Sequence, residues 1–269
     1  MKASALPVIA QTSGLEGPPV PDGHAFVTEL FSGIQGEGPW VGFRQIFVRF
    51  GGCDLRCWWC DTPRSLVRRD PNKVERTPGK RDFELIPNPL TFEEVATFIE
   101  ALEPTSHHSV SFTGGEPLLQ PAAVVELSRR THAMGALVFL ETHGGRVEEL
   151  KQVIDEVDII SMDLKLQSSS GEDVSIHRHE EFLSIAAKKN VYTKVVVTPD
   201  TDETEIFRAV KMVASAAPDV PLILQPVTPR GQIKAAPTVQ RMLDMHSAAL
   251  KIHRDVRVIP QVHALMGQM

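Results

Sequence analysis

The chain has three cysteines, and all of them lie in one short stretch at Cys53, Cys57 and Cys60, with the spacing Cys-x3-Cys-x2-Cys. Thiolates grouped in this way suit a soft metal such as zinc, copper(I) or the iron of an iron–sulfur cluster. The odd count argues against a closed disulfide framework. A structural zinc site needs four ligands, and a cubane cluster with three thiolates leaves one iron open to a substrate or cofactor. A zinc knuckle, a chance group of thiols and an open cluster all remain possible at this point.

Composition limits the class of protein. A chain of 269 residues can bury one sizeable core, and 42% apolar with 23% charged residues is ordinary for a globular protein. The formal net charge of −6 gives no reason to expect nucleic-acid binding. We expect no membrane helix, because no apolar run approaches the length of about 20 residues that is required. Free thiols, and an N-terminus without a basic segment before an apolar one, predict a cytoplasmic protein.

The first part of the chain is irregular. Residues 1–24 are rich in Pro, Gly and Ser and are predicted to form an irregular N-terminal arm, followed by one core domain over residues 25–269. Two strands are expected at residues 26–31 and 45–50, on either side of a glycine-rich loop. Residues 63–89 combine many basic residues with prolines. They are interpreted as an inserted excursion, either solvated or folded as a flap over the site.

Regular alternation begins after Pro89. Thr91 and Glu94 have the spacing of a capping box at the start of a helix. Six strands are then predicted at residues 109–112, 136–142, 158–163, 191–197, 221–227 and 256–261. Helices are predicted between them at residues 121–134, 146–155, 175–189, 202–217 and 237–252. Such alternation indicates parallel βαβ units, and the strand count favours an incomplete, open (β/α) barrel over a closed one. Ligands in these folds bind beyond the C-terminal ends of the strands, where the polar motifs of this chain fall.

One of those motifs, Thr113-Gly-Gly-Glu-Pro117, follows a predicted strand. By itself it can be an ordinary βα turn, because a glycine pair permits positive φ and close backbone approach. Together with the three cysteines it resembles the motif with which radical S-adenosylmethionine (SAM) proteins bind the amino group of SAM. The resemblance implies the fold class α/β, with an incomplete radical SAM (β/α) barrel of parallel strands.

A narrower resemblance rests on four further features. They are the loop Phe31-Ser-Gly-Ile-Gln-Gly-Glu-Gly38, Arg49 ahead of the first cysteine, Cys60-Asp-Thr62, and the C-terminal Ile259-Pro-Gln-Val-His263. These features are similar to the 7-carboxy-7-deazaguanine synthase (QueE) family. The resemblance implies conversion of 6-carboxy-5,6,7,8-tetrahydropterin to 7-carboxy-7-deazaguanine with loss of ammonia, in the biosynthesis of queuosine and related deazapurines.

The same resemblance implies the metal and cofactor sites. Cys53, Cys57 and Cys60 would hold a [4Fe–4S] cluster whose open iron binds SAM, and Thr62 would bind Mg²⁺ or else only cap a turn. The implied SAM contacts are Trp59, Gly115, Glu116, Ser161, Asp163, Lys165, Gln225, Pro226, Val227 and Thr228. The family often has a compact Ser-Pro-Lys where this chain has Ser161-Met-Asp-Leu-Lys165. Either Asp163 or Lys165 is therefore the expected contact.

The implied substrate contacts are Ile34, Gln35, Gly36, Glu37, Arg49, Thr113, His263 and Met269. The planar fork of Arg49 suits a substrate carboxylate, although a salt bridge at the strand end is the alternative. We expect too few residues after the last strand for another helix. The tail either folds back over the pterin or is a frayed terminus.

The implied partners are the pterin, an electron donor such as flavodoxin, and a second copy of the chain in a homodimer. Two other functions stay open. One is another radical SAM enzyme, such as an activase that makes a glycyl radical on a protein. The other is a non-catalytic zinc-binding module. Anaerobic reconstitution with iron and sulfide separates the zinc module from the others, because only an iron–sulfur protein becomes brown.

Overall fold

The chain forms one α/β structure, and the computed structural model describes residues 16–268 of it. The strands are β1 His24–Ala25, β2 Val27–Ile34, β3 Arg44–Phe50, β4 Asn72–Glu75, β5 Phe83–Ile86, β6 Leu90–Thr91, β7 Ser109–Gly114, β8 Leu137–Thr142, β9 Ile159–Asp163, β10 Asn190–Val197, β11 Leu222–Pro226 and β12 Val256–Val258. The α-helices are α1 Phe92–Ala101, α2 Pro121–Ala133, α3 Val147–Val153, α4 Gln167–Ser170, α5 Ile176–Ala186, α6 Glu203–Ala216, α7 Val239–Ala249 and α8 Val262–Leu265.

Ten strands form the main sheet, in the order β12-β11-β10-β9-β8-β7-β3-β2-β4-β5. The run from β3 through β7 to β12 is parallel throughout, and β2 joins β3 in antiparallel orientation. The outer strands β12 and β5 do not pair with each other. The prediction of an open, incomplete (β/α) barrel is therefore confirmed. The six strands that were predicted after the cysteine loop, residues 51–62, are all present.

The two faces of the sheet have different contents. Side chains such as Phe112, Leu140 and Val195 join the main core under the helices. The opposite, concave face is filled at one end by a small apolar cluster of Phe139, Ile159, Tyr192 and Ile223. Because side chains alternate along a strand, the residues two positions further on, such as Glu141, Ser161 and Lys194, project from the same face towards the C-terminal ends. This arrangement leaves a polar cavity above an apolar base.

Local sequence signals account for several element boundaries. Thr91 accepts a hydrogen bond from the backbone N–H of Glu94, and the Glu94 side chain accepts one from Thr91, so the predicted capping box is present. Helix α2 ends before Gly135, whose φ of +81° suits glycine.

The structure adds detail to one expectation about the outer segments and differs from another. Residues 72–75 and 83–86 form an antiparallel hairpin, and β4 of this hairpin also pairs with β2 at the sheet edge. Asn72, Val74 and Glu75 are buried, so this part of the excursion extends the sheet and is not simply solvated. The last strand is shorter than predicted, and a single helical turn, Val262–Leu265, follows it. Few residues are enough for one turn because backbone hydrogen bonds close it at Met266.

Among residues 16–268, no helix combines the length and the apolar character that crossing a membrane requires.

Candidate active site

A cavity at the C-terminal ends of the parallel strands contains most of the predicted site residues. Those lining it are Ile34, Gln35, Gly36, Glu37, Arg49, Cys53, Cys57, Trp59, Cys60, Thr62, Thr113, Gly115, Ser161, Asp163, Lys165, Gln225 and His263. Four predicted cofactor contacts do not line it, namely Glu116, Pro226, Val227 and Thr228. Met269 lies outside the described residues.

The cysteine loop is held by backbone hydrogen bonds to three other segments. Gly52 N donates to Ser65 O over 2.8 Å, Trp58 N donates to Ser170 O over 3.0 Å, and the N–H of Gln232 donates to Trp58 O over 3.0 Å. All three cysteines are free thiols. Burial raises the pKa of Cys53, and it raises the pKa of Cys57 to about 11. The thiols of Cys53 and Cys57 are therefore neutral by themselves and would lose their protons on binding a metal.

The glycine pair after β7 brings that strand against the cysteine loop. Gly114 has a φ of +119°. A Cβ atom on Gly115 would overlap the carbonyl oxygen of Gly52 and lie 2.6 Å from that of Ser65. Only glycine allows three backbone segments to meet this closely.

Glu116 lies behind the cavity wall. Its carboxylate is fully buried and accepts hydrogen bonds from Thr142 Oγ1 over 3.0 and 3.1 Å, from His143 N over 3.0 Å and from Leu118 N over 3.0 Å. All of these hydrogen bonds to the Glu116 carboxylate come from protein donors. A direct contact between Glu116 and the ammonium group of SAM therefore stays a prediction.

His143 connects Glu116 to the cysteine loop. Its Nδ1 accepts from Gly145 N over 3.1 Å, so the proton is on Nε2. That Nε2 lies 3.0 Å from Asp54 Oδ1 and 3.3 Å from Glu116 Oε2. The imidazole therefore holds two carboxylates together, which is a structural role.

A second polar group lies on the substrate side and centres on Glu141. Its Oε1 accepts from Gln35 Nε2 over 2.8 Å, and its Oε2 accepts from Thr113 Oγ1 over 2.7 Å. Gln35 also donates to Gln45 Oε1 over 3.0 Å, and its own carbonyl oxygen accepts from Glu37 N over 3.0 Å. Two predicted substrate contacts are thereby fixed in orientation by a residue that the sequence motifs did not assign to the site.

Charged residues form a third group. Glu37 is in an ion pair with Lys194 and also accepts from Gln225 Nε2 over 3.1 Å and from Gln261 Nε2 over 2.6 Å. Burial alone raises the pKa of Glu37, but the charge and hydrogen bond of Lys194 outweigh it and lower the pKa to about 2. Glu37 is therefore ionised at neutral pH. It can accept hydrogen bonds from N–H groups of a ligand.

The environment of Arg49 fits both a salt bridge at the strand end and a contact with a substrate carboxylate. Its Nε lies 3.4 Å from Glu29 Oε2, and its guanidinium carbon lies 5.6 Å from the centre of the Phe31 ring. The Nε atom is buried and makes no hydrogen bond within the described part of the chain, and the side chain lines the cavity. The salt bridge is present, while donor capacity remains for an anion.

The C-terminal turn closes one side of the cavity. Val262 N donates to Gly36 O over 2.9 Å, and Gln268 Oε1 accepts from Ile34 N over 3.2 Å. A Cβ atom on Gly36 would overlap the His263 imidazole, so glycine is needed for this approach.

The tail also completes a group of oxygen and nitrogen atoms that suits a cation. One ligand atom from each of Glu37, Asp61 and His263 lies within 4.8 Å of the others. Thr62 Oγ1 is nearby in sequence, where it donates to Gly114 O over 3.3 Å.

Several lining residues lie beyond the sequence-based assignment, among them Asp61, Glu141, Lys194, Arg230, Gln261 and Gln268. Glu141 and Lys194 could have been assigned to the cavity from the sequence, because both lie near the ends of predicted strands. Lys194 carried a further signal, because a charged residue within an apolar run is seldom buried without a partner.

Comparison with known proteins identifies the family. Residues 47–205 match the family described as the Radical SAM superfamily. The chain is 41% identical over 250 residues to the 7-carboxy-7-deazaguanine synthase of Geobacter sulfurreducens, covering 91% of this chain and 98% of that protein. It is 36% identical to the protein of that name from Methanothermobacter thermautotrophicus, again covering 91% and 98%. The chain belongs to the 7-carboxy-7-deazaguanine synthase family, within the radical SAM superfamily.

A solved structure of the family has the same fold. The crystal structure of QueE from Escherichia coli has a TM-score of 0.57 with this chain, at 20% identity, and covers 89% of this chain and 95% of that one. The part of the SuiB structure from Streptococcus suis that matches has a TM-score of 0.54 at 14% identity, covering 79% of this chain and 47% of that one. At these identities the comparison concerns the fold.

Membership of the superfamily implies a [4Fe–4S] cluster and SAM, and the residues of this chain fit both groups. Three free thiols line one cavity, as a cluster with an open iron requires. Two buried acceptor atoms of the same cavity, Asp163 Oδ1 and Gln225 Oε1, have no hydrogen-bond partner among the described residues. Buried polar atoms are normally satisfied, so these atoms indicate a place for a polar ligand.

Proposed function

We propose that this chain converts 6-carboxy-5,6,7,8-tetrahydropterin to 7-carboxy-7-deazaguanine with loss of ammonia, as a radical SAM lyase of deazapurine biosynthesis. The identity of 41% to a synthase of that name, over nearly the whole of both chains, carries the proposal. The cavity supports it, because three thiols lie at one end and an ordered set of carboxylates and amides lies at the other.

The geometry supports the following assignment of roles to the residues of the cavity. Cys53, Cys57 and Cys60 would hold the cluster, and the unpaired acceptors Asp163 Oδ1 and Gln225 Oε1 would receive polar groups of SAM. When bound, the cluster and SAM supply the radical chemistry that starts with removal of a hydrogen atom from the substrate. The protein contributes binding, orientation and shielding.

Substrate recognition would use the other end of the cavity. The ionised Glu37 and the carbonyl oxygen of Gln35 can accept hydrogen bonds from the N–H edge of a pterin. Arg49 can clamp the substrate carboxylate with donors that remain beside its contact with Glu29. Glu141 acts indirectly in this proposal, because it orients Gln35 and Thr113.

The remaining partners are part of the same proposal. A one-electron donor such as flavodoxin would reduce the cluster, and the chain would act as a cytoplasmic homodimer. A glycyl-radical activase needs to admit a segment of a partner protein. The polar set around Glu37 and Glu141, closed on one side by the C-terminal turn, favours a small substrate instead.

One experiment tests the proposal. The protein is reconstituted anaerobically with iron and sulfide and then incubated with SAM, a reductant, Mg²⁺ and the carboxytetrahydropterin. We expect 7-carboxy-7-deazaguanine in excess over 5′-deoxyadenosine, both measured by mass spectrometry. Loss of ammonia leaves the oxidation level of the substrate unchanged, so coupled turnover returns the hydrogen atom and leaves no 5′-deoxyadenosine. A brown protein that cleaves SAM but leaves the pterin unchanged would contradict the substrate assignment, and colourless protein with stoichiometric zinc would contradict the whole proposal.

Mg²⁺ belongs to the proposal through Thr62, and its neighbourhood offers harder ligands as well. Replacing Thr62 by alanine removes a hydroxyl ligand. We expect the Mg²⁺ concentration for half-maximal turnover to rise by about 10-fold or more. The control is Thr62→Ser, which keeps the hydroxyl. If the alanine variant has an unchanged Mg²⁺ response, the ion binds elsewhere, and Asp61→Asn then tests the group formed by Glu37, Asp61 and His263.

The tail is proposed to cover the pterin. Deleting residues 264–269 removes Gln268, which accepts from Ile34 N, and Gly267, whose carbonyl oxygen lies 3.4 Å from Arg81 Nη1. We expect the KM for the pterin to rise by about 10-fold, since small displacements of binding groups have effects of this size or larger. More 5′-deoxyadenosine should form without product, because the cavity admits water and quenching groups.

A point variant tests the same closure without shortening the chain. Gly36→Ala places a methyl group against His263 and should produce the same two changes. Gly23→Ala is the control for a substitution without a clash, since nothing lies within 4 Å of a Cβ atom there and only its φ of +71° opposes alanine. Unaltered kinetics in both the deletion and Gly36→Ala would show that the tail is a terminus without a role.

A further inference from the structure

Lys194 is a buried cation that touches carboxylates from both halves of the cavity. It lies near the end of β10, and its side chain is 10% exposed. Its Nζ pairs with Glu37, on the loop after β2, and lies 3.4 Å from Asp163 Oδ2, at the end of β9. Glu37 belongs to the proposed pterin side, and Asp163 belongs to the proposed SAM side.

The contact is one link in a row of alternating charges. Asp163 Oδ2 also lies 2.9 Å from Lys165 Nζ, and that nitrogen is 4.3 Å from the centre of the Trp59 ring. The row therefore runs from Glu37 through Lys194, Asp163 and Lys165 to the cysteine loop. Glu37 and Asp163 raise the pKa of Lys194 well above its usual value, against the effect of burial, so the charge is present at neutral pH.

Both carboxylates keep an oxygen that is not used by Lys194. Glu37 Oε1 accepts from Gln225 and Gln261, whereas Asp163 Oδ1 has no hydrogen-bond partner in the described part of the chain. A ligand that donates to Asp163 Oδ1 would fix this carboxylate. Lys194 would then be held in place, and so would Glu37. The second ligand would then bind to side chains that the first ligand had already ordered, so it would lose less entropy on binding.

We propose that Lys194 is a positioning residue that couples the pterin site to the SAM site, so that each ligand tightens the binding of the other. The inference rests on the proposed function, because it takes these two ligands as the occupants. Coupling of this kind is reciprocal for equilibrium binding. It would favour SAM retention in enzyme that already holds substrate, before any electron arrives.

The test measures binding without turnover. Calorimetry on the anaerobically reconstituted protein, without reductant, gives the Kd of SAM with and without saturating pterin. For the wild-type protein we expect pterin to lower the Kd of SAM by about 10-fold, within the usual range for linked sites. For Lys194→Met we expect this ratio to fall close to 1. Lys194→Arg keeps the charge and should keep part of the coupling.

The matched control is Lys188→Met. Lys188 is exposed and lies before β10, at the opposite end of that strand from Lys194, so its loss should leave the ratio unchanged. If Lys194→Met does not fold, as judged by circular dichroism, Lys194→Gln replaces it. The glutamine keeps an N–H donor but removes the charge and shortens the side chain, and the expected ratio is again close to 1.

Each outcome bears on the proposal. A neutral variant at position 194 that keeps the full ratio overturns the inference, as does one that weakens pterin binding alone while the ratio stays the same. A wild-type protein that binds both ligands independently also overturns the inference but leaves the proposed function intact. A wild-type protein that does not bind the pterin overturns both.

Discussion

Replacing any one of Cys53, Cys57 and Cys60 by alanine is expected to abolish reductive SAM cleavage. A cubane cluster that leaves one iron open for SAM already uses all three thiolates of this chain. The sequence contains no other cysteine that can take the place of a lost ligand. The neighbouring hydroxyl of Thr62, 3.9 Å from Cys60 Sγ, is a hard donor and a poor substitute for a soft thiolate.

The measurement is 5′-deoxyadenosine formation after anaerobic reconstitution, together with iron content and the electron paramagnetic resonance signal of the reduced cluster. We expect cleavage at the background level in each variant, a loss of at least 1,000-fold by order of magnitude, as for other essential groups that act as a unit. Arg64→Ala is the control, because Arg64 is exposed in the short 3₁₀ helix after the loop. A cysteine variant that still cleaves SAM would show that its sulfur is not a ligand.

The position of the site was predictable because it depends on a topological rule. The cysteine loop, the glycine pair and Gln225 are far apart in sequence, yet each lies at or just after the C-terminal end of a strand that the apolar pattern identifies. Since parallel strands present their C-terminal ends at one edge, these segments had to meet there. The capping box at Thr91 was predictable for a local reason, because both of its hydrogen bonds form within four residues.

The functional partners within the cavity were harder to predict. Which side chain lies beside which depends on the strand register, and the sequence does not state it. Lys194 pairs in register with Asp163 across β10 and β9. Its contact with Glu37 further depends on how the loop after β2 bends over the sheet. Glu141 reaches Gln35 by the same kind of non-local approach.

The hairpin of β4 and β5 at the sheet edge was not predicted for another reason, because its own sequence signal is weak. Strand β4 has only four residues, Asn72–Glu75, and two of them are charged, so its apolar pattern is too short to indicate a strand. It is stabilised by contacts elsewhere in the fold. Glu75 accepts hydrogen bonds from Ser32 N over 2.8 Å and from Gly79 N over 3.1 Å, which joins the hairpin turn to β2.

Gly115→Ala is expected to have the second largest effect, and it depends on packing that no motif describes. An added Cβ atom would overlap Gly52 O and lie 2.6 Å from Ser65 O, whereas real Cβ contacts essentially never fall below 3.0 Å. All of these neighbours are backbone atoms, so relief requires the end of β7 to move away from the cysteine loop. The hydrogen bond from Glu116 N to Gly52 O, 2.8 Å long, would lengthen or break.

We expect this variant to lower the free energy of unfolding by about 1–3 kcal/mol, the usual range for overpacking. SAM cleavage should fall by about 100-fold, because a displacement near 1 Å of a binding segment is enough for that loss. Thermal unfolding followed by circular dichroism and 5′-deoxyadenosine formation measure the two effects separately. SAM affinity, measured without reductant, should fall together with the cleavage rate.

Gly135→Ala supplies the control for a backbone effect alone. Its φ is +81°, and the nearest atom to an added Cβ is Thr105 Cγ2 at 3.8 Å, so alanine there meets conformational strain without a clash. We expect it to cost about 1–2 kcal/mol of stability and to leave SAM cleavage unchanged at temperatures below unfolding. Because the control loses stability and keeps activity, a loss of SAM cleavage in Gly115→Ala at those temperatures must arise at the junction of β7 and the cysteine loop. A Gly115→Ala protein that binds and cleaves SAM like the wild type would show that this junction yields without disturbing the site.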